Sequence, residues 1–203
     1  MIVNPVYGAG GAQSSGYVED AVVIHENRSW ETADLYQYIS GTLGLPPINT
    51  NTGFTVEARV APTQPTQNYP SFFSLDGSGS RVLLGLSTSE SEKDASSDFG
   101  VDVWGWNGDI IFKPQNLNYG DWHTFSFTAD ATAVKLYIDG QLFETKAAVT
   151  GTTTPTSISQ MYYPNMTRYA KGKWGCTRWY NRVLTADEIA ANYAIDAEKY
   201  DET

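Results

Sequence analysis

Gly53-Phe-Thr-Val-Glu-Ala-Arg-Val-Ala-Pro62 is the stretch on which the fold turns. Phe54, Val56, Ala58 and Val60 alternate with Thr55, Glu57 and Arg59. A two-residue period puts the first set on one face of a β-strand and the second on the other. Downstream, Pro62, Pro65 and Pro70 mark a loop, and Phe72-Phe-Ser-Leu75 starts another strand that ends at the turn signal Asp76-Gly77. Arg81 to Leu86 continues the sheet, and the polar run Ser87 to Asp98 reads as an exposed, mobile loop. Phe99 to Trp106 and Asp109 to Phe112 form a hairpin across Asn107-Gly108, a strong short-range turn signal. Trp122 to Ala129 follows, then Ala133 to Ile138, a second hairpin turn at Asp139-Gly140, and Gln141 to Thr145. After a Thr-rich loop from Ala148 to Ser157, Ile158 to Tyr163 and Trp174 to Tyr180 are the last strands.

Upstream, Tyr17 to Ile24 reads as a first strand, and the period is lost between Asn27 and Thr52. Met1 to Gly16, rich in Gly, Ala and Ser, has little to bury and is expected to be a flexible or docking arm. At the other end, Thr185 and Glu188 stand in capping-box spacing, with Leu184 and Ile189 placed for a hydrophobic staple. Ile189, Tyr193, Ala197 and Tyr200 then fall on one helical face, so the helix should lie against the sheets as a packing element. The expectation is one all-β domain over residues 17–203, a two-sheet antiparallel sandwich with a short C-terminal α-helix.

Bulk properties exclude several functions. The net charge is −10 in a chain of 203 residues, and no run of Lys or Arg is present to neutralise phosphate. Nucleic acid and anionic membrane surfaces are therefore disfavoured partners. No segment is apolar for long enough to cross a bilayer. The single cysteine, Cys176, excludes an intrachain disulfide and lies among alternating aromatics, as a small buried hydrophobe would. The opening Met-Ile-Val-Asn-Pro carries no basic segment and no apolar core, so a secretory signal is not expected there.

Three segments resemble a known family: Gly53 to Pro62, then Asp121-Trp-His-Thr-Phe-Ser-Phe followed by Val134-Lys-Leu-Tyr-Ile-Asp-Gly-Gln141, and finally Arg178-Trp-Tyr-Asn-Arg-Val-Leu-Thr-Ala-Asp-Glu-Ile189. In that order they are similar to the laminin-G-like, concanavalin-A-like jelly-roll domains of bacterial surface proteins and phage structural proteins. The resemblance covers residues 17–200 and implies two bent, stacked sheets. It implies glycan binding in many members, protein binding or a structural calcium in others, and hydrolysis in a minority. It also gives Trp122 the place of a core plug. Together with the missing signal, it makes a phage head-decoration or tail-appendage protein on the virion surface the leading expectation, with a secreted bacterial lectin as the alternative and an endo-acting glycoside hydrolase as a more remote one.

The residues argue against turnover. Hydrolases of this fold carry Glu-x-Asp-x-x-Glu on one strand, and retaining hydrolysis needs two carboxyls ~5 Å apart. No such triplet occurs; Glu90, Glu92 and Asp94 lie in a Ser-rich run without strand character, and two histidines are too few for a metal triad. For recognition, Asp102, Trp104 and Trp106 share a face opposite Val101 and Val103, with Asn107 beside them. Either they offer a sugar an aromatic platform with polar neighbours, or the two Trp pack the sandwich and Asn107 serves the turn. Calcium would draw on Asp76, Asp98 and Asp109 with Asp102, if their loops converge; no other cofactor is expected. Asp76 and Asp139 also have a simpler role in their Asp-Gly turns. The expected partners are a surface glycan, neighbouring virion or cell-surface subunits, and a second copy in a homo-oligomer.

Overall fold

The computed structural model describes residues 22–32, 39–42, 48–65, 70–77, 81–105, 108–148, 150–153, 155–160, 162–163 and 168–200. Strands are numbered in chain order. One sheet has six strands in the order β1 (Val22–Thr32), β16 (Gly172–Tyr180), β4 (Phe54–Pro62), β9 (His123–Ala129), β10 (Ala133–Ile138) and β11 (Gln141–Ala147). The other runs β14 (Tyr162–Tyr163), β15 (Arg168–Tyr169), β5 (Ser71–Gly77), β6 (Arg81–Ser87), β7 (Gly100–Gly105) and β8 (Gly108–Phe112). On it β13 (Pro155–Gln160) also pairs β5, and β2 (Ile39–Thr42) pairs β13. A small ladder joins β3 (Ile48–Asn49) to β12 (Thr152–Thr153). All pairs are antiparallel except the β15–β5 bridge. Helix α1 (Ala186–Tyr200) closes the chain.

The alternation read in β4 fixes the layering. Phe54, Val56, Ala58 and Val60 turn inward and meet Val82, Leu84 and Leu86 of β6 and Val101 and Val103 of β7 in one buried core. Phe72 and Phe125 stack across the two sheets at 6.1 Å. Trp174 and Trp179 of β16 are five residues apart and both buried in this core, which a strict two-residue period forbids. A register shift at Gly175 resolves it: Trp174 pairs Val60 and Cys176 pairs Arg59, so one extra residue restores the inward face. A Cβ at Gly175 would come within 2.9 Å of the Tyr200 ring, so glycine is also what lets α1 approach here.

The outer face of the six-stranded sheet is polar and nevertheless buried, because α1 covers it. Arg178 donates to Asp196 through Nη1 at 2.6 Å and Nη2 at 2.7 Å, and to Glu57 through Nε at 2.9 Å. Glu57 also accepts from Asn192 at 2.7 Å and Ser126 at 2.9 Å, and Asn192 donates to the Tyr180 hydroxyl at 2.8 Å. The Cys176 thiol donates to Asp196 at 3.2 Å, and burial pushes its pKa up, so it is an inert thiol. Such a layer is tolerated because Arg178 meets two carboxylates, and those carboxylates accept further hydrogen bonds from Ser126, Asn192 and Cys176.

Three expectations are corrected. The buried stripe of α1 is Ile189, Asn192, Asp196 and Tyr200, with Tyr193 and Ala197 half-buried, because the surface beneath it is polar. The region from Asn27 to Thr52 contains the end of β1 and all of β2 and β3; a register shift in β1 between Glu26 and Trp30 breaks the period there. Trp122 is half-buried outside the core, stacked on Tyr200 at 6.2 Å with Arg59 over its ring. The expected arm at 1–16 lies outside the described residues. The Thr185–Glu188 box forms as read, and Leu184 and Ile189 pack together with Tyr137 and Tyr180.

Candidate binding cleft

A cleft of about 460 Å³ opens where the β8-to-β9 connection faces the β10–β11 hairpin. Residues 113–117 form one wall, Ile138, Asp139 and Phe143 the other, and His123 sits at the start of β9. Leu117 is buried in the wall, whereas Lys113, Gln115 and Asn116 are exposed at the rim. Phe143 stands 40% exposed beside Leu142 at 53%, the large exposed hydrophobics among the described residues.

Each wall is fixed by local chemistry. Asp139 and Gly140 have φ of 51° and 77°, as a two-residue hairpin turn requires. The turn leaves the Asp139 carboxylate free to accept from Thr124 N at 2.9 Å and from His123 Nδ1 at 2.8 Å. An ionised carboxylate only accepts, so the imidazole donates through Nδ1. His123 Nε2 is buried and makes no hydrogen bond among the described residues. Arg59, 1% exposed, reaches Asp139 at 3.5 Å and Thr124 at 3.4 Å, and Thr124 in turn donates to Asp196 at 3.2 Å. The cleft is thus tied to the buried network under α1.

The opposite wall is held by the polar run Ser87 to Asp98. Ser97 Oγ donates to Pro114 O at 2.7 Å and accepts from Leu117 N at 2.9 Å. Ser96 Oγ accepts from Asn116 N at 3.2 Å, and Lys113 Nζ donates to Ser91 O at 2.6 Å. Glu90 pairs Lys93, Glu92 accepts from Ser87, and Asp94 accepts from Ser96, so each carboxylate of the run is engaged locally. Ser87 to Asp98 is a series of bonded turns that shapes the cleft.

Of the residues singled out in the sequence, Asp102 lies on β7 between Gly85 of β6 and Ile111 of β8 and is 1% exposed. A carboxylate so buried is not presented to a ligand's hydroxyls. Trp104 pairs Leu83 and Asp109 through its backbone; its side chain and those of Asp76 and Asp109 lie outside the described residues, as do Trp106 and Asn107 altogether. Asp98 is exposed and accepts from Tyr119 N at 2.8 Å. Along β6, Arg81 pairs Asp76, while Ser87 pairs Gly100, two residues past Asp98. At ~3.3 Å per residue, the backbone register sets Gly100 and Asp76 ~20 Å apart along β6. Among the described residues no three His, Cys, Asp or Glu side chains could hold a metal ion together. The cleft itself went unread because Lys113 to Leu117, His123 and Asp139 to Phe143 form no motif; the Asp121-Trp-His and Asp-Gly signals touched it only as structure.

A family model described as the concanavalin A-like lectin/glucanases superfamily matches residues 36–190. The chain belongs to this superfamily. Among solved structures, the botulinum neurotoxin serotype D binding domain superposes with a TM-score of 0.60 at 12% identity, over 82% of this chain and 42% of that one. The serotype G binding domain gives 0.56 at 14% identity, over 91% and 48%. A structure of type C neurotoxin, a protein whose interaction with two ganglioside molecules is described, gives 0.52 at 12% identity, over 75% and 37%. The superfamily member described here therefore spans less than half of each of these chains, and at such identity they share its fold. No curated protein matches the sequence.

Proposed function

We propose that this superfamily member is a non-catalytic recognition module that takes carbohydrate in the cleft between residues 113–117 and the β10–β11 hairpin, displayed on the surface of a phage particle. The observation that carries the reading is Phe143, 40% exposed at the cleft, with the rim amides of Gln115 and Asn116 across from it. An exposed ring suits the apolar face of a pyranose, and amides suit its hydroxyls. Hydrogen bonds from Asn116 N and Leu117 N to the Ser96 and Ser97 hydroxyls preorganise the wall, so binding costs little further ordering. Recognition is favoured over hydrolysis because Asp139 is the one carboxylate lining the cleft among the described residues, and glycoside hydrolysis uses two. The virion setting rests on the resemblance to phage structural domains.

Calorimetry against a panel of oligosaccharides tests the reading. One or more sugars should bind with micromolar to millimolar affinity, and Phe143→Ala should weaken that binding at least about ten-fold while leaving the melting temperature unchanged. Equal binding by the variant, or no binding across the panel, contradicts it.

A further inference from the structure

Charges around the cleft are matched inside the protein, with one exception. Asp139 Oδ1 accepts from Thr124 N at 2.9 Å and lies 3.5 Å from Arg59, while Oδ2 accepts from His123 Nδ1 at 2.8 Å. That carboxylate is engaged by its own wall. Lys146 pairs Glu144 at 3.3 Å and lies over the Phe112 ring, and Lys93 pairs Glu90 at 3.0 Å. Lys113, which follows β8 and lines the cleft, meets only the Ser91 carbonyl oxygen among the described residues, at 2.6 Å. A carbonyl takes one of three ammonium protons and leaves the positive charge uncompensated. We propose that the saccharide taken by the cleft is an acidic one, whose carboxylate or sulfate group meets Lys113 while its ring lies on Phe143.

This inference rests on the cleft being a carbohydrate site and adds the class of sugar. Lys113 is held before any ligand arrives: Ser91 O fixes its ammonium group, and Ser97 Oγ fixes the next residue through Pro114 O at 2.7 Å. The side-chain entropy that commonly cancels an exposed ion pair is therefore already lost. Acidic residues of the neighbouring run bond elsewhere, Glu92 to Ser87 and Asp94 to Ser96. The net charge of −10 repels an anion at a distance, but salt screens that repulsion beyond ~8 Å and leaves a direct contact with Lys113. A lysine offers a point charge with rotatable donors, so it takes a carboxylate or a sulfate ester by the same chemistry.

Calorimetry on the full chain with matched pairs of sugars tests this. One set is oligomers of galacturonate, glucuronate and mannuronate against their methyl esters, which lose the charge and keep the ring. The other is sulfated against unsulfated galactan oligomers. At least one acidic member should bind about three- to five-fold tighter than its neutral partner, the range of one exposed ion pair. A preference within the uronate set identifies a carboxylate, and one confined to the galactan set a sulfate. Lys113→Gln should bring the ratio to about one, and Lys113→Arg should keep it. Equal binding within every pair, or a ratio that survives Lys113→Gln, overturns the proposal and leaves the cleft a site for neutral sugars or for sugars held without Lys113. No binding by any sugar, acidic or neutral, overturns the carbohydrate reading as well.

Discussion

Arg178 is fully buried, and its charge is viable there only because Asp196 and Glu57 hold it. Burial works against the guanidinium, yet Cys176 and the two carboxylates outweigh it and its pKa rises. Asp196→Ala should therefore destabilise the fold by about 3–5 kcal/mol, since it strands a cation in a dry layer. Urea unfolding followed by tryptophan fluorescence measures this; a loss under about 1 kcal/mol would mean that water reaches Arg178. Here the sequence was legible only by half. Thr55, Glu57 and Arg59 were visible as the second face of β4, but alternation is the same whether that face meets solvent or a matched polar layer. What distinguishes the cases is Asn192 and Asp196 four residues apart on α1, which look like ordinary polar helix positions until the partner face is known.

The element whose ends were best read is α1. Thr185 N donates to Glu188 at 2.8 Å and Glu188 N to Thr185 Oγ1 at 3.3 Å, closing the capping box, while Arg182 grips the same carboxylate at 2.8 and 2.9 Å. The Arg182 hydrogen bond, helped by Thr185, holds the Glu188 carboxyl down to about 2 from an ordinary 4.5. A carboxyl lowered on folding stabilises the fold fully above its unfolded value and loses that contribution as pH falls toward 2. Glu188→Gln should therefore flatten the pH dependence of stability between about 4.5 and 2, measured by thermal melts across that window. An unchanged slope would show the cap to be unimportant. The box was legible because capping uses near neighbours. The β16 bulge was not, since nothing local in Trp174-Gly-Cys-Thr-Arg-Trp179 says that Gly175 is the residue the ladder skips.

At the scale of the molecule, the sandwich was legible from Gly53 onward because core burial imposes one period on every strand and Asp-Gly or Asn-Gly marks the hairpins. The cleft was not, because it is assembled from a connection, a strand start and a hairpin tip that meet only after the sheets have stacked. Its aromatic, Phe143, sits at a bulge that no short-range pattern announces. The central claim is that this cleft holds a sugar and leaves it intact. The most direct test is a titration of nitrogen-15-labelled protein with oligosaccharides, followed by amide shifts and by the sugar's own proton signals. The account predicts saturable shifts confined to residues 113–117, 123–124 and 138–143, with the sugar spectrum unchanged over days. Shifts centred on β7 and β8 instead, no shifts with any sugar, or new reducing-end signals would contradict it.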